Sequence, residues 1–363
     1  MQQTSNHPEH DLHLLPKIDL HRHLEGSIPM DVIQRLAAEG RVPLPSDRDE
    51  LSQKLTIGPL DPRTPSNFLA PFSSLRKVFQ DESVIREVAA SVVREAAEDN
   101  IHYLELHLTP AALAAESGGS AEDVTRWVCE AGRRAAEELP IDLRFVVSLN
   151  RHEPLEVAEA SVRAAVELAG MGIVGVDLAG DEAHHSASPF VPLLKEARAA
   201  GMNISIHAGE WAGPESVRFA LEHLEADRIV HGVAIMKDPG LVRMARDRRI
   251  PFAICLTSNV QSGVVDSLGQ HPLPMMISAG MQVSLGTDDP SVSQTSLTRE
   301  YELASRHLQL GFDSLRGLIL SGAQAAFLPE KERRNLEEQY QRWLGLAPKS
   351  ESTVAPRSKG MGG

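Results

Sequence analysis

Short runs of apolar, often β-branched residues recur along the chain and alternate with longer segments of helical periodicity. The eight strand-like runs span residues 17–23, 101–108, 143–149, 173–178, 203–207, 228–231, 251–255 and 282–285. Between them, apolar residues repeat at three- and four-residue spacing, as Val84, Ile85, Val88 and Ala89 do, which is typical of helices. The pattern therefore predicts a chain in which strand and helix alternate eight times.

Most of these runs are too apolar to keep one face in water, which indicates a parallel sheet covered by helices. Eight βα units are the number that closes a (β/α)8 TIM barrel. An open doubly wound sheet is the alternative fold. Such a sheet usually has a glycine-rich phosphate turn after its first strand, whereas here that position reads HRHLEG over His21 to Gly26. We therefore predict an α/β protein with a TIM barrel.

The segment between the first two predicted strands is long and rich in proline and phenylalanine. Residues 41–80 contain six prolines and three phenylalanines. Because βα loops open on the face of a barrel that carries active sites, this segment is predicted to act as a lid, with Phe68 and Phe72 as its apolar cover. The barrel domain is predicted over residues 14–346. The segments 1–13 and 347–363 are polar or low in apolar residues and are predicted to be disordered.

Composition narrows the range of partners and compartments. The 363 residues are 42% hydrophobic and 24% charged, and 36 basic against 50 acidic side chains leave a formal net charge of −14. This balance repels phosphate backbones and anionic lipids, so neither nucleic acid nor a membrane is predicted as a partner. Two cysteines, no long apolar stretch and no signal-like opening make the cytoplasm the expected location. No pattern predicts an oligomeric state.

Four of the predicted strands end in side chains that bind metals or transfer protons. They are His21 and His23 at the first strand, His207 and Glu210 at the fifth, His231 at the sixth, and Asp288 and Asp289 after the eighth. Singly, each histidine is equally explained as a hydrogen-bonded core residue, and the aspartate pair as a turn. Burying all of them at one rim is unfavourable without a shared partner, which favours a metal site with nitrogen and oxygen ligands.

Five segments, LPKIDLHRHLEG, GVDLAGDE, ISIHAGE, RIVHG and VSLGTDDP, resemble the signature segments of the adenosine deaminase family, in the family's order. The resemblance covers roughly residues 14–330 and places the chain within the amidohydrolase superfamily of metal-dependent barrels. It implies one zinc ion per chain, with the ligands His21, His23, His207 and Asp288.

The resemblance also implies a role for each remaining site residue. Glu210 corresponds to the general acid, and His231, together with Asp288, orients and deprotonates the attacking water. The implied substrate-binding residues are His23, Glu25 facing the sugar, the backbone of Gly180 at the purine ring, and Asp289 at the imidazole part of the base. The implied reaction is zinc-dependent hydrolytic deamination of adenosine or deoxyadenosine to inosine or deoxyinosine plus ammonia.

Two positions depart from the family pattern and keep other substrates open. Glu25 replaces an aspartate common in adenosine-specific members, and glutamate there is frequent among relatives that act on adenine or on modified adenosines such as aminofutalosine. His107 stands where many relatives have arginine and is expected at the pocket rim. The segment VDLAGDE and the predicted lid favour a purine nucleoside over the free base.

The sequence also bears on three other classes of protein. A binuclear amidohydrolase needs a bridging lysine at the fourth strand, and residues 171–182 contain none. Cytidine-type zinc deaminases use a Pro-Cys-x-x-Cys run, which is also missing. A non-catalytic purine-binding barrel is the alternative from a different functional class, and it gives no reason for the presence of Glu210 and His231.

Overall fold

A computed structural model describes the protein over residues 11–346. Of the segments predicted to be disordered, 1–13 and 347–363, residues 1–10 and 347–363 lie outside this range. A short 3-10 helix spans Leu12–Leu14. The prediction of a single barrel domain over residues 14–346 stays a prediction.

The described chain forms one eight-stranded parallel sheet in which the strands follow one another in sequence order. The strands are β1 Lys17–His23, β2 Ile101–Leu108, β3 Asp142–Asn150, β4 Ile173–Ala179, β5 Asn203–Ala208, β6 Arg228–His231, β7 Pro251–Ile254 and β8 Gln282–Leu285. Each predicted run lies within one residue of an observed strand at either end. The predicted TIM barrel is confirmed, since β1 and the segment after β8 meet through a parallel bridge between Arg22 and Asp288.

Helices cover the outside of this barrel and include the segments predicted from periodicity. They are α1 Met30–Ala38, α2 Arg48–Leu55, α3 Pro65–Leu69, α4 Phe72–Leu75, α5 Glu82–Glu98, α6 Pro110–Ser117, α7 Ala121–Ala136, α8 Leu155–Glu167, α9 Val191–Ala199, α10 Pro214–Glu222, α11 Pro239–Asp247, α12 Leu256–Gln261, α13 Leu273–Ser278, α14 Pro290–Ser293, α15 Leu297–His307, α16 Phe312–Ala325 and α17 Glu330–Trp343. In α5, the side chain of Asp81 caps the first turn, and the predicted apolar face is fully buried.

The long insertion after β1 folds into short helices above the carboxyl ends of the strands. It contains α2, α3, α4 and a 3-10 helix at Arg76–Val78. Arg63 ties it to the barrel, because its Nη1 donates to the carbonyl oxygen of Asp266 at 2.6 Å. Phe68 is buried, and Phe72 is partly buried beside it. Both line the cavity beneath the insertion, as predicted for a lid.

The amino-terminal side of the barrel interior is filled by a buried ion pair. Arg228, at the start of β6, donates from Nη1 to Glu105 Oε2 at 2.6 Å, and both side chains are fully buried. The Arg228 guanidinium also lies 3.8 Å from the ring centre of Phe327. The polar cavity lies at the opposite end of the barrel, at the carboxyl ends of the strands. No helix in the described part of the chain combines the length and apolarity needed to cross a bilayer.

Candidate active site

The four predicted metal ligands converge at the carboxyl end of the barrel. Donor atoms of His21, His23, His207 and Asp288 all lie within 4.8 Å of one another. Nε2 of His21 is 3.0 Å and Nε2 of His23 is 3.6 Å from Asp288 Oδ1. Two ligands around one zinc at tetrahedral angles stand roughly 3.3 Å apart. The donor set and its spacing therefore fit a single metal ion.

The protonation states of His21, His23 and Asp288 also suit metal binding. Burial lowers the pKa of His21 well below its usual value and that of His23 to about 3, so both imidazoles are neutral. For Asp288, burial alone would raise the pKa, but the surrounding imidazoles, His21 foremost, hold it well below its usual range. Neutral imidazoles and a charged carboxylate are the forms that ligate metals.

Asp177, on β4, orients the third histidine and was missed by the sequence analysis. Its carboxylate lies 3.1 Å from Nδ1 of His207 and is fully buried. This hydrogen bond leaves Nε2 of His207 available for a metal. The signal was present in the quoted segment GVDLAGDE, where an acidic residue interrupts an otherwise apolar strand.

The expectation that His107 lies at the pocket rim is wrong. In the parallel register of β1 and β2, His107 is the partner of His23, which places it inside the barrel. Its side chain is fully buried, its ring centre is 4.7 Å from that of His21, and its Nδ1 is 3.7 Å from Asp177 Oδ2. His107 therefore packs against the metal-ligand cluster and lies away from the opening.

Glu210 and His231 stand next to the ligand cluster. Oε1 of Glu210 is 3.6 Å from Nε2 of His231, and that nitrogen is 3.8 Å from Asp288 Oδ2. Burial, with Asp288 and Glu182 adding negative charge nearby, raises the pKa of Glu210 well above its usual value. The arrangement brings together a carboxyl group that holds its proton, an imidazole and a carboxylate.

A chain of hydrogen bonds fixes the tautomer of His231. The backbone N–H of Leu273 donates to Nδ1 of His271 at 3.1 Å, so the proton of neutral His271 is on Nε2. That nitrogen lies 3.1 Å from Oδ1 of Asn259, whose Nδ2 is 3.0 Å from Nδ1 of His231. Burial lowers the pKa of His271 to about 3 and of His231 to about 4. Neutral His231 therefore presents its N–H at Nε2, towards the site.

Glu182, at the end of GVDLAGDE, holds the loop that carries Glu210. Its two carboxylate oxygens accept the consecutive backbone N–H groups of residues 209–212 at 2.7 to 3.1 Å. The hydroxyl of Ser216 donates to the same carboxylate. Five donors on one buried carboxylate leave the loop a single arrangement. The sequence alone did not indicate this role for Glu182.

The predicted substrate-binding residues line a cavity of about 280 Å³ beneath the insertion. These residues are His23, Glu25, Gly180 and Asp289. Glu25 Oε1 accepts the backbone N–H of Thr109 at 2.7 Å. Among the described residues, the buried atoms Glu25 Oε2 and Asp289 Oδ1 have no hydrogen-bond partner, so both are available to a polar group of a substrate. Burial, followed by Asp288 and Glu25, raises the pKa of Asp289 well above its usual value.

Glycine is required at position 26 because of the close approach to Asp289. A Cβ at Gly26 would lie 1.8 Å from Oδ1 of Asp289. The backbone of Gly26 therefore packs directly on this carboxyl group and holds it against the cavity.

Comparison with known proteins identifies the family to which the chain belongs. The family model described as Adenosine deaminase matches residues 16–343. The chain belongs to the adenosine deaminase family. It is thus a hydrolase of the adenosine deaminase type, which acts on cyclic amidines.

Relatives of this adenosine deaminase family member cover nearly its whole length. It is 36% identical over 323 residues to an adenosine deaminase of Klebsiella pneumoniae (strain 342), covering 89% of this chain and 96% of the relative. It is 30% identical over 325 residues to one of Clostridium botulinum (strain 657 / Type Ba4), covering 89% and 98%.

Solved structures of family members have the same fold. An N6-mAMP deaminase of Arabidopsis superposes with a TM-score of 0.80 at 27% identity, covering 91% of this chain and 99% of that one. An adenine deaminase of Arthrobacter aurescens superposes with a TM-score of 0.82 at 24% identity, again covering 91% and 99%. The second likeness concerns the fold alone.

The hydrogen bonds of Glu182 predict that Glu182→Gln lowers kcat/KM by at least about tenfold, because any orientation of the amide sets an NH2 group against backbone donors. Metal content should be unchanged, since the ligand positions are untouched. The matched control is Glu215→Gln, an exposed carboxylate that accepts one N–H from the same loop, and it should leave kcat/KM near wild type. Wild-type kinetics in Glu182→Gln would contradict the positioning role.

Proposed function

We propose that this protein is a zinc-dependent deaminase that hydrolyses adenosine or deoxyadenosine to inosine or deoxyinosine and ammonia. The observation that carries the proposal is the convergence of His21, His23, His207 and Asp288 beside Glu210, a buried carboxyl group with a raised pKa. When bound by these four residues, zinc would lower the pKa of a coordinated water so that hydroxide is available near neutral pH.

Two neighbouring side chains orient and deprotonate the attacking water. Because neutral His231 has its proton on Nε2, we assign it to hold the water oxygen by donating a hydrogen bond. Asp288 Oδ2 is the nearby acceptor for the water's proton, which refines the shared role expected for His231 and Asp288. The hydroxyl of Ser258 donates to the same oxygen at 2.6 Å and holds the carboxylate in place.

Glu210 supplies the proton that the ring needs. Attack on the amino-bearing carbon of adenine breaks the aromaticity of the ring, which is favourable only if the adjacent ring nitrogen is protonated as the bond forms. A carboxyl group with a raised pKa keeps its proton at neutral pH and can donate it. We assign the backbone of Gly180 and the carboxyl group of Asp289 to the purine, and Glu25 to the sugar.

The cover of the cavity supports a nucleoside as the substrate. Phe68 and Phe72 line the same cavity as Glu25, and we assign them to cover the sugar, which a free base lacks. Adenine deaminase is the alternative, since Glu25 differs from adenosine-specific members, and an aminofutalosine-type nucleoside remains in the same panel of substrates. Glu210 and His231 beside the ligand cluster argue against a non-catalytic barrel.

The metal site predicts one transition metal ion per chain, measured by elemental analysis of the purified protein. His21→Ala should lose both metal and turnover, because it removes one of four ligands. His184→Ala, at an exposed histidine outside the cluster, should keep both. Two ions per chain, or full activity after exhaustive chelation, would refute the mononuclear site.

Glu210→Gln should keep its metal and lose turnover by on the order of a hundredfold, because an amide cannot donate the proton. Elemental analysis and steady-state kinetics on the same preparation measure both quantities. In the wild type, donation requires the protonated form, so turnover should be retained below the raised pKa and lost as pH rises through it. Most of the activity remaining in the variant would show that another group is the acid.

Adenosine should have a higher kcat/KM than adenine, because contacts to the remote sugar help align the purine. Phe72→Ala should lower kcat/KM for adenosine more than for adenine, since it removes cover from the sugar end. Leu60→Ala, at a residue of the same insertion that is 96% exposed, is the control and should change neither. If adenine matches or exceeds every nucleoside, the substrate assignment moves to the free base.

A further inference from the structure

One charged side chain that lines the cavity has no part in the proposed reaction. Arg76 opens the 3-10 helix Arg76–Val78 of the insertion and borders the same cavity as Glu25. Exposed lining residues mark the cavity's opening, namely Ser73 and His152, whereas the predicted ligands, which are buried apart from the partly buried His23, mark its bottom. Arg76 is partly buried, between these two levels.

The guanidinium of Arg76 is unpaired within the described part of the chain, where it forms no side-chain hydrogen bond and no ion pair within 4.0 Å. Two other arginines of the insertion form side-chain hydrogen bonds, whereas Arg48 is exposed. Arg41 Nη1 donates to Glu87 Oε2 at 2.6 Å, and Arg63 donates to the carbonyl of Asp266. In a chain with a net charge of −14, a partly buried arginine without an acidic partner is conspicuous.

The charge of Arg76 acts on two other residues that line the cavity, Glu25 and His152. Burial raises the pKa of Glu25, and the charge of Arg76 opposes that rise. Burial also lowers the pKa of His152, and Arg76 lowers it further. Arg76 is thus near both groups without bonding to either of them.

This position determines what Arg76 can bind. With the purine assigned to Glu210 and the sugar to Glu25, we infer that a substituent on the far side of the sugar points towards Arg76, which lines the same cavity. The guanidinium fork matches phosphate and carboxylate oxygens, and it is less strongly hydrated than an ammonium group. The ring of neutral His152, on the other side of the opening, adds one N–H donor.

We propose that Arg76 forms an anion subsite at the opening of the cavity, so that the preferred substrate is an adenosine bearing an acidic group, phosphate or carboxylate, at the end of the sugar remote from the base. This inference rests on the proposed deaminase function. It specifies the substrate class of that site.

The test compares kcat/KM for adenosine, adenosine 5′-monophosphate and adenosine 5′-carboxylic acid. The wild type should prefer at least one acidic substrate to adenosine, and the one preferred distinguishes phosphate from carboxylate. In Arg76→Ala, the ratio of acidic to neutral kcat/KM should fall about tenfold or more. Lys77→Ala removes the same charge from the adjacent exposed residue, which does not line the cavity, and should preserve the ratio.

Two outcomes separate this inference from the proposed function. If adenosine is deaminated but the acidic substrates are not preferred, or if Arg76→Ala and Lys77→Ala change the ratio equally, the subsite is refuted and the deaminase stands. If no adenine compound is deaminated, the proposed function fails. Calorimetry with inosine, inosine 5′-monophosphate and inosine 5′-carboxylic acid then still tests the subsite, because equal Kd values for all three in the wild type would overturn it.

Discussion

The closure of the barrel at Asp288 is the constraint on which the site depends. The backbone N–H of Asp288 donates to the carbonyl of His21 at 2.9 Å, and its carbonyl accepts the N–H of His23 at 2.8 Å. These bonds join the segment after β8 to β1. Asp288 adopts a left-handed backbone with φ of 62°, which is unfavourable for a non-glycine residue. Closing the barrel therefore also fixes the aspartate ligand between the two histidine ligands of β1.

Around Asp288, the site contains ionisable groups that are held in opposite protonation states. Burial keeps His21, His23 and His231 neutral, and the imidazoles keep Asp288 charged. Burial, reinforced by the charge of Asp288, raises the pKa of Glu210 and of Asp289. Holding one carboxylate charged and its neighbours protonated in one cavity provides a proton acceptor and a proton donor at the same pH. A bound cation would offset the burial of that negative charge.

A second set of residues holds the reacting groups without contacting the cavity's centre. Asp177 orients His207, His271 and Asn259 determine the tautomer of His231, and Glu182 holds the Glu210 loop. Each comes from a different strand end or loop than the group it positions. Their hydrogen bonds restrict rotamers and tautomers that the chain segments alone would leave free.

The sequence by itself determined the eight strands, the barrel and the set of candidate ligands, because apolar runs and short motifs are local patterns. It placed Glu210, His231 and Asp288 at one rim because the carboxyl ends of parallel strands share one face. Only the tertiary structure decided where His107 lies, since strand register sets that. It also decided which atoms Glu182 binds and that Arg76 has no partner among residues 11–346. Those features depend on contacts between residues distant along the chain, and such contacts leave no periodic signal in the sequence.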